Sequence, residues 1–216
     1  MVKSRTLTRP ERIADAVVHV VGLGCGLAAC IALAAIAAPT GDARLGIALA
    51  VYATGLMTML GCSAAYNLSR SPEQKRWLRR IDHAAIFVMI AGTYTPFAMI
   101  SLQGAWGWGL LAFVWAVALA GVAGKLFLAA RFERWSIPAY LLLGWTVLVA
   151  LEPLLSALSL AGLLLLGIGG ILYTVGVLFY RWERLPFQTA IWHVFVLAAA
   201  ACHFTAVLGD VALAAV

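Results

Sequence analysis

Apolar residues run along this chain in long blocks separated by short polar connectors. They neither alternate nor recur as a narrow amphipathic stripe. A helix that crosses the hydrocarbon core of a bilayer needs about 20 mostly apolar residues. Seven charge-poor stretches meet that length: Ile13–Ala38, Leu45–Leu68, Asp82–Leu102, Ala105–Ala130, Ser136–Leu155, Leu160–Tyr180 and Phe187–Leu208. The interval from Ala84 to Gly124 has no charge at all and is too long for one span. Ser101, Leu102, Gln103 and Gly104 supply a turn signal in its middle. The turn between the fifth and sixth spans rests on Pro153, Ser156, Ser159 and Gly162, just after Glu152. The predicted fold class is all-α, a polytopic membrane protein built as a seven-transmembrane-helix bundle. Residues 1–12 form a basic N-terminus, 13–208 the transmembrane domain and 209–216 a short tail.

The connectors decide the orientation. Lys3, Arg5, Arg9 and Arg12 precede the first span. Arg70, Lys75, Arg76, Arg79 and Arg80 lie between the second and third, Lys125, Arg131 and Arg134 around the fourth-to-fifth connection, and Arg181 and Arg184 between the sixth and seventh. The alternate connectors hold only Arg44, so fourteen of the 15 Lys and Arg fall on one side. The Lys/Arg-rich side faces the cytoplasm. The N-terminus is therefore expected in the cytoplasm, the C-terminus outside, and the chain in a bacterial inner membrane. Trp77, Trp106, Trp108, Trp135 and Trp182 all fall near predicted span ends, where interfacial aromatics gather.

Composition agrees. The chain is 64% hydrophobic and 11% charged, against about 25% charged in soluble domains. The net charge of +6 sits in connectors, without a clustered basic face. This implies membrane lipid as partner and argues against nucleic acid. The polar, basic first dozen residues and the long first apolar run predict an uncleaved first span rather than a signal peptide. Cys25, Cys30, Cys62 and Cys202 show no C-x-x-C spacing and read as small packing residues. Gly22, Gly24 and Gly26 follow no strand, so they indicate close helix packing and not a dinucleotide loop.

Polar groups at membrane depth are expensive and tend to face the bundle interior. Asp15, His19, Ser63, Asn67, Asp82, His83, Glu152, Thr189, His193 and His203 are the candidates. Ser63 and Asn67 sit in the last turns of the second span, Asp82 and His83 open the third, and Thr189 and His193 lie in the first turns of the seventh. Three helices thus offer polar groups at one level on the cytoplasmic side. Ser63/Asn67 and Thr189/His193 are i,i+4 pairs, each sharing a face. Such a layout can hold a small ligand, a water or a metal. His203 lies about 15 Å beyond His193 along the helix, so the two cannot share an ion. Plainer roles exist for each: Asp82 as the N-cap of the third span, His83 as a solvated flank, Thr189 as a first-turn residue, Glu152 as interfacial, and His19 and His203 as satisfied core histidines. His193 is the foremost site candidate.

Glu11, Asp15, His19 and Gly22, then Ser63, Tyr66 and Asn67, then Asp82-His83 running into Ala91-Gly92-Thr93-Tyr94-Thr95-Pro96-Phe97, then Ala190-Ile191-Trp192-His193 and Cys202-His203-Phe204 together resemble the haemolysin III family, the bacterial branch of the progestin and adipoQ receptor superfamily. The resemblance covers essentially the whole chain. It implies a seven-helix bundle with a cytoplasmic N-terminus, within a wider group that includes alkaline ceramidases and resembles membrane-embedded zinc hydrolases. It further implies three zinc-binding histidines, one at the end of the second span and two, spaced i,i+4, at the start of the seventh, with an Asp and a Ser beside them. Ser63, Asp82 and His193 match that pattern. Asn67 and Thr189 stand where two of the histidines are expected. An amide oxygen and a hydroxyl are weak donors for zinc. The expectation is a degenerate zinc site with no cofactor, or zinc if the site is retained, in a protein of membrane homeostasis or ligand binding. The alternatives are a zinc-dependent hydrolase of a lipid amide or ester, with Ser63 and Asp82 catalytic, and a channel or proton-conducting bundle.

Overall fold

A computed structural model describes residues 7–102 and 104–215. Gln103, part of the turn signal above, and the N-terminal Lys3 and Arg5 lie outside the described residues. The described residues form helices joined by short connectors, without a strand. Seven helices are long and apolar enough to cross a membrane: Arg9–Thr40, Ala43–Leu68, Pro72–Ser101, Gly104–Phe127, Arg131–Ala157, Leu160–Arg181 and Gln188–Ala215. These are the seven spans predicted from hydropathy, so the protein is a multi-pass membrane protein.

Helix ends differ from span ends where charge was used to draw the boundary. The third helix starts at Pro72, ten residues before Asp82, with Ser71 as its N-cap accepting from the Gln74 amide. Its first three turns carry Lys75, Arg76, Arg79 and Arg80, which stay helical outside the apolar zone. Asp82 is therefore an interior helix residue and caps nothing. The first helix likewise starts at Arg9, and a helix begins at Ala129 ahead of the fifth span. At the other end, helical structure runs past Leu208 through a π-helical turn, Leu208–Ala212, in which Val211 and Ala212 are buried.

The third span is the most enclosed, and the first, fifth and sixth are the least. The second packs along the third, the sixth along the seventh, and the first touches both the second and the seventh. Two glycines permit close backbone approach between the second and third spans. A Cβ on Gly55 would lie 3.2 Å from the Val88 carbonyl oxygen, and one on Gly92 3.3 Å from that of Val51. Small residues of this kind bring backbones together where no hydrophobic force drives helix association.

The Ala91–Phe97 block also has a structural explanation. Thr93 and Thr95 return their hydroxyls to the carbonyls of Met89 and Ala91, and the Trp115 indole donates to the Thr95 oxygen. The Tyr94 hydroxyl lies 2.7 Å from the Gly144 carbonyl and accepts from the Val147 amide at 2.7 Å. It thereby serves backbone groups freed where the fifth span turns 3-10 helical over Trp145–Ala150. After Pro96, the third helix ends in a π-helical turn, Phe97–Ser101. Opposite the Lys/Arg-rich end, Ser159 caps the sixth span and is gripped by Asp210 through both its amide and its hydroxyl. Trp77, Trp106, Trp108, Trp135 and Trp182 are all exposed.

Candidate functional site

The first helix builds half of the site. Glu11, Asp15, His19, Gly22 and Gly26 are its buried stripe, spaced three and four apart so that they share one face. Glu11 accepts the Phe187 amide at 2.9 Å, fixing the start of the seventh span, where Phe187 takes a left-handed conformation. Gly22 lets Leu197 close in: a Cβ there would meet the Leu197 side chain at 2.8 Å. First and seventh spans are thus held together on both sides of one level, and Asp15, His19 and His193 meet at that level.

Asp15 Oδ1 and His193 Nδ1 are 2.7 Å apart, and the other nitrogen of His193, Nε2, is 3.4 Å from Ser63 Oγ. A carboxylate only accepts. Nδ1 of His193 therefore carries a proton to Asp15, which leaves Nε2 facing the Ser63 hydroxyl. Asn67 Nδ2 donates to the Ser63 carbonyl at 2.9 Å and lies 3.4 Å from its hydroxyl. Asp82, buried in the third span, lies near enough to the group for the Ser63 side chain and His19 to act on its carboxylate electrostatically. The His19 and His193 rings lie 4.4 Å apart between centroids, tilted by 57°. Asp15, His19, His193 and Asp82 are only 4%, 6%, 8% and 9% exposed.

Four spans therefore contribute to one buried centre: Asp15 and His19 from the first, Ser63 and Asn67 from the second, Asp82 from the third and His193 from the seventh. All lie toward the end of the bundle that carries the Lys/Arg-rich connectors. Three donors, one each from Asp15, His19 and His193, gather within 4.8 Å of one another.

Other candidates lie elsewhere. His83 faces Lys125, with Nδ1 3.1 Å from the lysine nitrogen, which also pairs with Glu133 at 3.0 Å; Arg79 bonds the same Glu133. This charged knot joins the third, fourth and fifth spans apart from His193. The Thr189 hydroxyl is 3.4 Å from Gln188 Oε1. His203 Nε2 lies 3.3 Å from the Leu166 carbonyl, with its ring against Tyr173, as expected of a core histidine hydrogen-bonded across helices. The contribution of the first span is what sequence reasoning missed. It took His19 for a core residue and left Asp15 unplaced, although an acid and a histidine four apart at membrane depth were themselves a signal.

An all-helical, seven-span bundle with a buried acid–histidine–serine centre toward one end defines a class of polytopic membrane proteins with an intramembrane polar site. The chain belongs to the haemolysin III family: the family model described as haemolysin-III related matches residues 9–204. It is 40% identical to "Hemolysin-3" of Bacillus cereus over 198 residues, covering 92% of this chain and 90% of that one. It is also 40% identical to "Hemolysin-3 homolog" of Bacillus subtilis over 201 residues, covering 93% and 94%. More distantly, it is 27% identical over 165 residues to the human "Monocyte to macrophage differentiation factor", covering 73% of this chain and 67% of that one.

Proposed function

We propose that this protein is a hydrolase of a membrane-lipid ester or amide, working from the cytoplasmic leaflet of a bacterial inner membrane, and that it does not use the three-histidine zinc set its family resemblance implies. That set would need imidazoles at 67 and 189. Asn67 instead directs its amide nitrogen at Ser63, and Thr189 lies against Gln188. Neither is a donor that zinc favours.

The observation that supports the reading is the line Asp15–His193–Ser63, with Asp82 beside the serine. Buried carboxylates and imidazoles at membrane depth are costly, and packing alone gives no reason to converge six polar side chains from four spans. Asp15 holds His193 in one tautomer, which aims the Ser63 hydroxyl. Ser63 and Asp82 then hold a water. Its oxygen bonds to the acyl carbon as Asp82 takes a proton. The carbon–oxygen or carbon–nitrogen bond breaks next, and the proton passes to the departing alcohol or amine. General base catalysis of this kind contributes about 10²–10⁴-fold.

The test is lipid turnover by the purified chain in vesicles of bacterial lipid, followed by mass spectrometry. Asp82→Asn should lower acyl release by about two orders of magnitude or more. Vesicles whose lipids bind the chain yet stay intact would overturn the hydrolase reading in favour of a binding role. Asp82→Asn turning over lipid at the wild-type rate would also overturn it.

A further inference from the structure

Three features of the buried centre are left unexplained by hydrolysis alone. The Nε2 atom of His19 is buried and has no hydrogen-bond partner; Asp15 Oδ2 faces it at 3.6 Å, beyond hydrogen-bond distance. The groups facing the Asp15 carboxylate are two histidines, and among the described residues no Lys or Arg reaches it. A second carboxylate, Asp82, lies in the same buried group, while Arg79 and Lys125 are held by Glu133. The centre therefore combines two acids with an imidazole nitrogen that has no hydrogen-bond partner, and Asp15 is paired with no Lys or Arg among the described residues.

We propose that Asp15, His19 and His193 form a binding site for a divalent transition metal ion, displaced onto the first span from the positions the family resemblance implies. Two imidazole nitrogens and one carboxylate oxygen are a ligand set that zinc accepts in catalytic sites, where a further position stays open. Asp15 and His19 present their donors on one face because they are four residues apart. His193 arrives from the seventh span, already fixed by Asp15 at 2.7 Å. The three candidate donor atoms lie within 4.8 Å of one another, so a small side-chain adjustment brings them around one ion. Occupancy would give the His19 nitrogen a partner and set a double positive charge against the two acids. When bound, the ion supplies Lewis acidity toward an acyl oxygen and favours deprotonation of water. Ser63 and Asp82 would keep their places beside it.

The proposal rests on the same centre as the hydrolase reading but is tested without substrate. The full chain is purified in detergent, stripped with chelator, incubated with zinc and desalted, and its metal content is measured. Cobalt loading with visible absorption reports the coordination number. The wild type and His203→Gln should each retain one equivalent, with a four-coordinate cobalt spectrum. His19→Gln, close in size to histidine, should weaken binding at least tenfold while preserving monodisperse elution and helix content. His193→Gln should abolish it. No retained metal in the wild type, or equal retention in His19→Gln, overturns the site. Metal held as expected in a chain that cleaves no lipid would sink the hydrolase reading and leave the site standing. Undiminished lipid turnover by a stripped chain that also retains no zinc would do the reverse.

Discussion

Removing Asp15 should expose how strongly the first and seventh spans are joined. Asp15→Ala deletes the acceptor 2.7 Å from His193 Nδ1 and the carboxylate facing His19. Both imidazoles are more than nine-tenths buried, so water cannot replace the lost partner. A hydrogen bond to a charged group contributes about 1.5–3 kcal/mol, whereas interhelical hydrogen bonds in a bilayer average about 0.6 kcal/mol. The short distance, the charge and the burial place this pair at the upper end, about 2 kcal/mol by the same range. The assay is a double-mutant cycle of Asp15→Ala and His193→Ala, read by reversible unfolding in mixed micelles with chelator present. The coupling energy should be about 1.5 kcal/mol or more. His203 with Leu166, at 3.3 Å and uncharged, sets the reference: His203→Ala should lose far less through its hydrogen bond. A coupling no larger than the membrane average would show that Asp15 and His193 are neighbours without being partners.

Other outcomes follow from the same geometry. In an Asp15→Asn, His19→Gln background, adding Asn67→His and Thr189→His should restore zinc retention to the chain, because it rebuilds the three-histidine set with His193; metal analysis checks this. Tyr94→Phe should destabilise the bundle by about 1–3 kcal/mol, since it strands the Val147 amide and removes the bond to Gly144 at the 3-10 break of the fifth span; the same unfolding assay reads it. Gly92→Leu should reduce yield and thermal stability sharply, because even a Cβ meets the Val51 carbonyl at 3.3 Å and backbone cannot move aside as a side chain can.

The seven spans were readable because hydrocarbon leaves the backbone few options and charge marks where each apolar run stops. That same cue misplaced the start of the third helix. Charged residues such as Arg76 and Arg79 leave the membrane without leaving the helix, and Ser71-Pro72 was the actual start signal. Ser63, Asn67, Asp82 and His193 could be placed at one level by counting residues, since helical rise is uniform. Which faces meet could not be counted. Asp82 and His83 are adjacent, yet Asp82 turns toward the side of Ser63 and His19 while His83 meets Lys125, because adjacent helical positions diverge by about 100°. The first span was underread because its outward face, with Ile13, Val17, Val20, Val21, Leu27 and Ile31, makes the whole stretch read as apolar and hides the inward stripe of Glu11, Asp15 and His19. The Ala91–Phe97 block was specific as a signature and silent about mechanism. Its hydroxyls serve backbone groups inside the third span and across to the fifth.

The central claim is that Asp15 fixes His193 so that its Nε2 lone pair faces Ser63. Nitrogen NMR of histidine-labelled, metal-stripped chain tests it most directly. The protein has only four histidines, so His193 can be assigned from a single His193→Gln comparison. A protonated Nδ1 and a bare Nε2, reverting when Asp15 is changed to Ala, is the predicted result. A proton on Nε2 with Nδ1 bare, unaffected by Asp15→Ala, would contradict it.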